Sequence, residues 1–134
     1  MTPSAHLIKA NRAIASANLL LEAGDIDGAC NRAYYAMFDA THAALLWAVP
    51  HKNWGETKSH RGLISAFGKY LVKNDLVAAD LGKVLNQVER MRLLADYTGE
   101  EVEHDKAAWA VGQATIFVAT IERVTARPTP QLNA

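Results

Sequence analysis

Long apolar runs, paired cysteines and an excess of charge of one sign are all missing from this sequence, and each absence removes a class of protein. The longest uncharged apolar stretch, around Ala40 to Pro50, is about half of the roughly 20 residues a membrane span needs, so no transmembrane helix is expected. The single cysteine, Cys30, can close no internal disulfide and resembles no metal cluster. Its apolar helical setting makes it a small core residue. Lys plus Arg equals Asp plus Glu at 14 each, so no global field gathers nucleic acid. The chain also lacks a Gly-rich phosphate loop, a His-Glu-x-x-His pair and a Gly-x-Ser-x-Gly elbow. Neither a metal nor a cofactor is expected. Met1-Thr2-Pro3-Ser4 has no basic start or apolar core of a secretory leader, which together with the lone thiol points to the cytoplasm.

What is present is helical patterning. Half of the 134 residues are apolar, spread along the chain, enough for one domain with a core of its own. The first helix is announced by Thr2 or Ser4 as cap, Pro3 as a first helical residue and Gly24 as a stop, with a stripe of Leu7, Ala10, Ile14, Ala17 and Leu21. Asp25 or Asp27 caps a second helix that Pro50 ends, because proline cannot donate the next N–H. A third runs from about Thr57 to Val72. A fourth, about Leu76 to Tyr97, turns Leu81, Val84, Leu85, Val88, Met91 and Leu94 or Ala95 inward. A fifth, about Val102 to Val124, has a stripe of Ala108, Val111, Thr115, Val118 and Ile121. The pattern predicts an all-α protein: an up-down antiparallel four-helix bundle with one additional short helix over residues 1–126, and a disordered tail over 127–134.

Local charge is less even than the total. Residues 50–92 hold eight basic and four acidic side chains, and Asp96, Glu100, Glu101, Glu103 and Asp105 follow. Three polar groups stand inside apolar helical patterns. In Asn31-Arg32-Ala33-Tyr34-Tyr35-Ala36-Met37-Phe38, Arg32 lies on a helix with buried flanks. A guanidinium there either pairs with an internal acid or waits at a cleft mouth for an anion, with Tyr35 one turn away, since burying it alone costs several kcal/mol or more. Lys58-Ser59-His60-Arg61 opens the third helix, either as a solvated first turn or as an anion site. Arg92 and Asp96 share a helical face. They either pair with each other, or Arg92 enters a cleft while Asp96 orients it or a histidine opposite.

The run Asn31 to Phe38, then His60-Arg61-Gly62, then Arg92-x-x-x-Asp96-Tyr97, resembles the HEPN family over about residues 5–124. The likeness is greatest to its small stand-alone prokaryotic members. The resemblance implies a four-helix bundle that forms homodimers and pairs with an MNT-type nucleotidyltransferase in a toxin–antitoxin-like arrangement. Ribonuclease members carry an Arg-x4-6-His motif, with which two protomers cleave RNA without metal. Here Arg92 matches the Arg, but Tyr97, Thr98 and Gly99 stand where the His belongs, and His104 lies beyond Gly99. His60 replaces it only if the third helix docks beside Arg92.

Three functions are therefore weighed. The first is a dimeric binding or regulatory module, with Arg32, Tyr35, Lys58, Arg61 and Tyr97 around a nucleotide or phosphate. The second is a degenerate endoribonuclease toxin, with Arg92 stabilising charge, His60 as acid or base and Asp96 positioning them. There, Tyr97 is also a candidate for nucleotidylation. The third is a purely structural dimer.

Overall fold

The structure, a computed structural model, describes residues 1–56 and 59–132. Helix α1 spans Pro3–Glu22, α2 Ile26–Ala48, α3 His60–Phe67, α4 Ala79–Thr98 and α5 His104–Thr125. Capping chemistry sets most of these ends. Thr2 Oγ1 accepts from Ala5 N, Asp25 Oδ1 from Gly28 N, and Ser59 Oγ from Gly62 N. Gly24 and Gly99 take positive φ just after α1 and α4, and Asp75 does so before α4. The fourth and fifth helices begin later than their patterns suggested, at Ala79 and His104.

The four long helices run up-down-up-down. Asn11 on α1 meets Glu122 near the far end of α5, so those two are antiparallel. Asp27 at the start of α2 accepts from Val102 N just before α5, and Trp47 near the end of α2 donates to the Arg127 carbonyl just after it. Helices α2 and α5 therefore run the same way across the bundle. Helix α2 is the axle, touching α1, α3, α4 and α5. The expected short helix is α3, packed on α2 and α4. It continues into a π-helical turn, Gly68–Val72, closed by Lys73 N donating to Gly68 O at 3.0 Å. Among the described residues no helix is long and apolar enough to cross a membrane.

The core follows the predicted stripes with some shifts. Leu85 and Val88 are buried on α4, but Leu94 is exposed and Glu89 is buried instead. On α5 the inward set is Ala107, Ala110, Val111, Ala114, Phe117, Val118, Ile121 and Val124, and Thr115 faces out. Each fully buried large side chain, such as Phe67, Phe117 or Leu45, contributes about 1.5–3 kcal/mol. In the segment after α5, Arg127 O takes the Trp47 indole N–H at 2.8 Å, and Leu132 packs on the core. The prolines exclude helix there, but they do not prevent extended chain from docking.

Candidate functional site

Helix α2 carries adjacent tyrosines of different fates. Tyr34 is fully buried toward the bundle, and Tyr35, a third of a turn further round, is partly exposed. The Tyr34 hydroxyl needs a partner once buried, and α3 supplies one: it lies 2.9 Å from His60 Nδ1. Ser59 fixes the first turn of α3 from which His60 projects. The His60 ring also sits 5.8 Å from Tyr35 and 4.2 Å from Phe38, centroid to centroid.

Arg92 arrives from α4. Its guanidinium carbon stands 4.6 Å above the Tyr34 ring and 5.9 Å from Tyr35. Nη1 donates to Asp96 Oδ2 at 3.1 Å, while Nε is buried without a hydrogen-bond partner. The Arg92 side chain is 13% exposed, so the cation is largely covered where α2, α3 and α4 meet. Arg32 joins through the other tyrosine, with its guanidinium carbon 5.3 Å from the Tyr35 ring, and its Nε is likewise buried and unpartnered. Tyr35 is therefore in cation–π contact with both guanidinium groups. Among the described residues Arg32 makes no ion pair of the kind the sequence allowed.

The charges tune the groups they surround. Burial, then the charge of Arg92, lowers the His60 pKa, against a smaller raising influence from Glu89. His60 is accordingly neutral at pH 7. The Tyr34 hydroxyl is pushed well above its usual range by burial and by Glu89, so it acts as a hydrogen-bonding group and not as a phenolate. The Cys30 thiol rises to about 11, mainly through burial, and is no nucleophile.

Not every predicted residue joins the cluster. Arg61 turns to α4, where Nη1 donates to Asn86 Oδ1 at 3.1 Å and pairs with the buried carboxylate of Glu89. It is thereby committed to an internal acid. Tyr97 is 85% exposed and stands away from the aromatic groups. Lys58 lies outside the described residues. Arg32, Tyr35, His60, Arg92 and Asp96 are the ones brought together.

Tyr34 and Glu89 were missed as functional residues. Tyr34 reads as one more apolar residue of its helix, and nothing local marks its hydroxyl as the bridge. Glu89 did carry a signal: it falls on the Leu85–Val88–Arg92 stripe, where an acid needs a cationic partner. No group of three or more His, Cys, Asp or Glu side chains gathers as a metal site among the described residues.

Comparison with known proteins agrees with this architecture. The chain is 36% identical over 119 residues to a UPF0332 protein of Thermotoga maritima, covering 87% of this chain and 85% of that one. It is 31% identical over 110 residues to a Methanocaldococcus jannaschii protein named "Putative toxin MJ0605", covering 82% and 78%. A UPF0332 protein of Gloeobacter violaceus is 33% identical over 101 residues, covering 74% and 76%. The HEPN domain model matches residues 4–124, which takes in all four long helices but for one residue at each end, and the chain belongs to the HEPN family.

Proposed function

We propose that this chain is the toxin-type half of a two-protein system and that its working surface is the junction of α2, α3 and α4, where it takes a phosphodiester of RNA. The observation that carries this is the meeting of His60 and Arg92 at Tyr34, from three helices far apart in sequence. Arg92 uses only Nη1, on Asp96, and Arg32 makes no ion pair among the described residues, so both guanidinium groups keep donors for an anion. The printed name of the Methanocaldococcus jannaschii relative supports the toxin assignment. Family membership supports the homodimer and the MNT-type nucleotidyltransferase partner.

The same geometry favours cleavage as a second reading. With Tyr34 holding Nδ1, His60 presents Nε2 as a lone pair in one tautomer and as an N–H in the other. Those are the two states a base and an acid need when a ribose 2′-hydroxyl attacks phosphorus and the 5′-oxygen leaves. Arg92 would meet the added charge on the phosphoryl oxygens. Asp96, salt-bridged to Arg92, is a positioning residue.

Total RNA incubated with the protein and a chelator tests both readings. Wild type should retard RNA and, on the second reading, degrade it. Arg92→Ala should abolish the retardation. His60→Ala should slow degradation roughly 100- to 10,000-fold while leaving retardation in place. RNA that migrates freely with wild type sinks the proposal, and RNA bound but intact removes only the cleavage. Co-expression with a neighbouring nucleotidyltransferase, followed by co-purification, tests the pairing.

A further inference from the structure

Beyond the junction the rings continue along α2. Phe38, 4.2 Å from His60, is 5.0 Å from His42 one turn further on, and His42 stacks on His6 of α1 at 4.8 Å with the ring planes 5° apart. His6, Phe38, His42 and His60 are all partly exposed. The row ends at a cavity lined by His6, His42, Leu46, Lys52, Asn53 and Trp54. Its rim is polar on one side. Lys52 is exposed, with its ammonium 4.8 Å from the Trp54 ring, and Asn53 uses its Oδ1 to accept from Gly55 N, keeping its amide N–H groups for something else.

Packing alone does not account for this end of the row. His6 Nδ1 is closed off from solvent and has no hydrogen-bond partner. An apolar ring would stack on His42 equally well and leave no orphan nitrogen. Burial, His42, Lys9 and the N-terminal amine bring His6 down to about 4, and burial, Lys9 and His60 lower His42. Both imidazoles are thus flat, uncharged surfaces at neutral pH, the kind on which a nucleobase stacks.

We infer that the cavity beside His6 and His42 is a base-binding subsite for single-stranded RNA whose phosphodiester lies at Arg92. The inference rests on the reading of the junction as an RNA site and extends it to a neighbouring nucleotide. Phe38 and His42, set edge to face, line the way between the two positions, Lys52 meets a phosphate at the rim, and Asn53 faces a base edge. A ring row ending beside a cation is how sequence-tolerant single-strand sites are built.

The test uses the full chain and fluorescein-labelled 2′-O-methyl adenosine oligonucleotides, which resist cleavage, with anisotropy as readout. His42→Ala should weaken a hexanucleotide roughly five- to a hundredfold and leave a dinucleotide within about twofold. Lys52→Ala, on an exposed loop, should weaken the hexanucleotide and flatten its salt dependence, with a urea melt checking that the Trp54 contact is not needed for folding. A hexanucleotide made abasic at its middle positions should bind wild type weakly and show no further loss in His42→Ala.

Hexanucleotide affinity unchanged in both variants overturns the subsite, as does an equal loss for the dinucleotide. Arg92→Ala separates the two ideas, since it should weaken both probes. If it changes neither while His42→Ala still costs the hexanucleotide, the junction reading fails and the subsite stands. If wild type binds no probe, both fall.

Discussion

Helices α1, α2 and α5 meet through alanine, whereas α3 and α4 bury none. Ala10, Ala13 and Ala17 on α1, Ala29, Ala33, Ala36, Ala40, Ala43, Ala44 and Ala48 on α2, and Ala107, Ala110 and Ala114 on α5 are all inside. Helix α3 buries Leu63, Ile64 and Phe67, and α4 only Leu85, Val88 and Glu89. Small residues let helix axes approach closely and gain many backbone-to-backbone contacts, at the expense of any room for larger groups. Bulkier and polar groups on the other side leave space in which a tyrosine hydroxyl, an imidazole and a guanidinium meet. One side of the bundle is sensitive to volume, and the other to chemistry.

That contrast is open to direct attack. The largest effect is expected from Ala40→Leu, which forces a branched side chain into the alanine seam at a fully buried position. It should cost about 1–3 kcal/mol in urea melts while leaving RNA affinity per folded molecule unchanged. A variant as stable as wild type would show that the seam has slack and that the comparison is wrong.

Tyr34→Phe attacks the other side with almost no change of volume. It removes the hydroxyl from His60 Nδ1 and should cost only about 0.5–1.5 kcal/mol, but it frees the imidazole to rotate. RNA retardation should survive and any cleavage should collapse, with a changed pH profile. Unaltered cleavage and profile would mean that Tyr34 positions nothing.

The smallest effect is the dependence on acid. The pKa values of His6, His42 and His60 are all lowered in the folded chain, so the unfolded chain binds more protons below the ordinary value of 6.5. Stability should therefore be at its full value above about 6.5 and fall as the pH drops, for His6 down to about 4. Burial raises the Asp39 pKa, which opposes this trend, so the histidines are isolated by mutation. Melting temperatures at about pH 7.5 and about pH 5 should differ less in the His6→Gln, His42→Gln double variant than in wild type. An identical difference in both proteins would assign the acid sensitivity elsewhere.

The alanine side was the more legible in the sequence. Its spacing, its caps at Thr2 and Asp25 and the stop at Pro50 are local signals, and local signals fix where helices begin, end and face. The candidate site was legible only as parts. Arg32, His60, Arg92 and Asp96 stood out because charge or imidazole inside an apolar pattern is costly without a partner. Which partner each would find depended on how α3 docks, and no periodicity reports that. So Arg61 reads in the sequence as a candidate anion ligand, whereas the fold gives it to the buried carboxylate of Glu89. The stacked His6 and His42 stand 36 positions apart on two helices, and only the packing of α1 on α2 brings them together.

The π-helical turn at Gly68–Val72 means that the polypeptide carries one amino acid more than a regular coil over that span would use. A homologue shorter by one there would wind evenly and swivel everything upstream by about 100° relative to the anchored Tyr70 and Leu71. His60 would leave Tyr34 and a different side chain would take its place. The same swivel would carry Leu63, Ile64 and Phe67 out of the core, so the extra residue ties the seating of α3 and the position of the imidazole together, and losing it costs both at once.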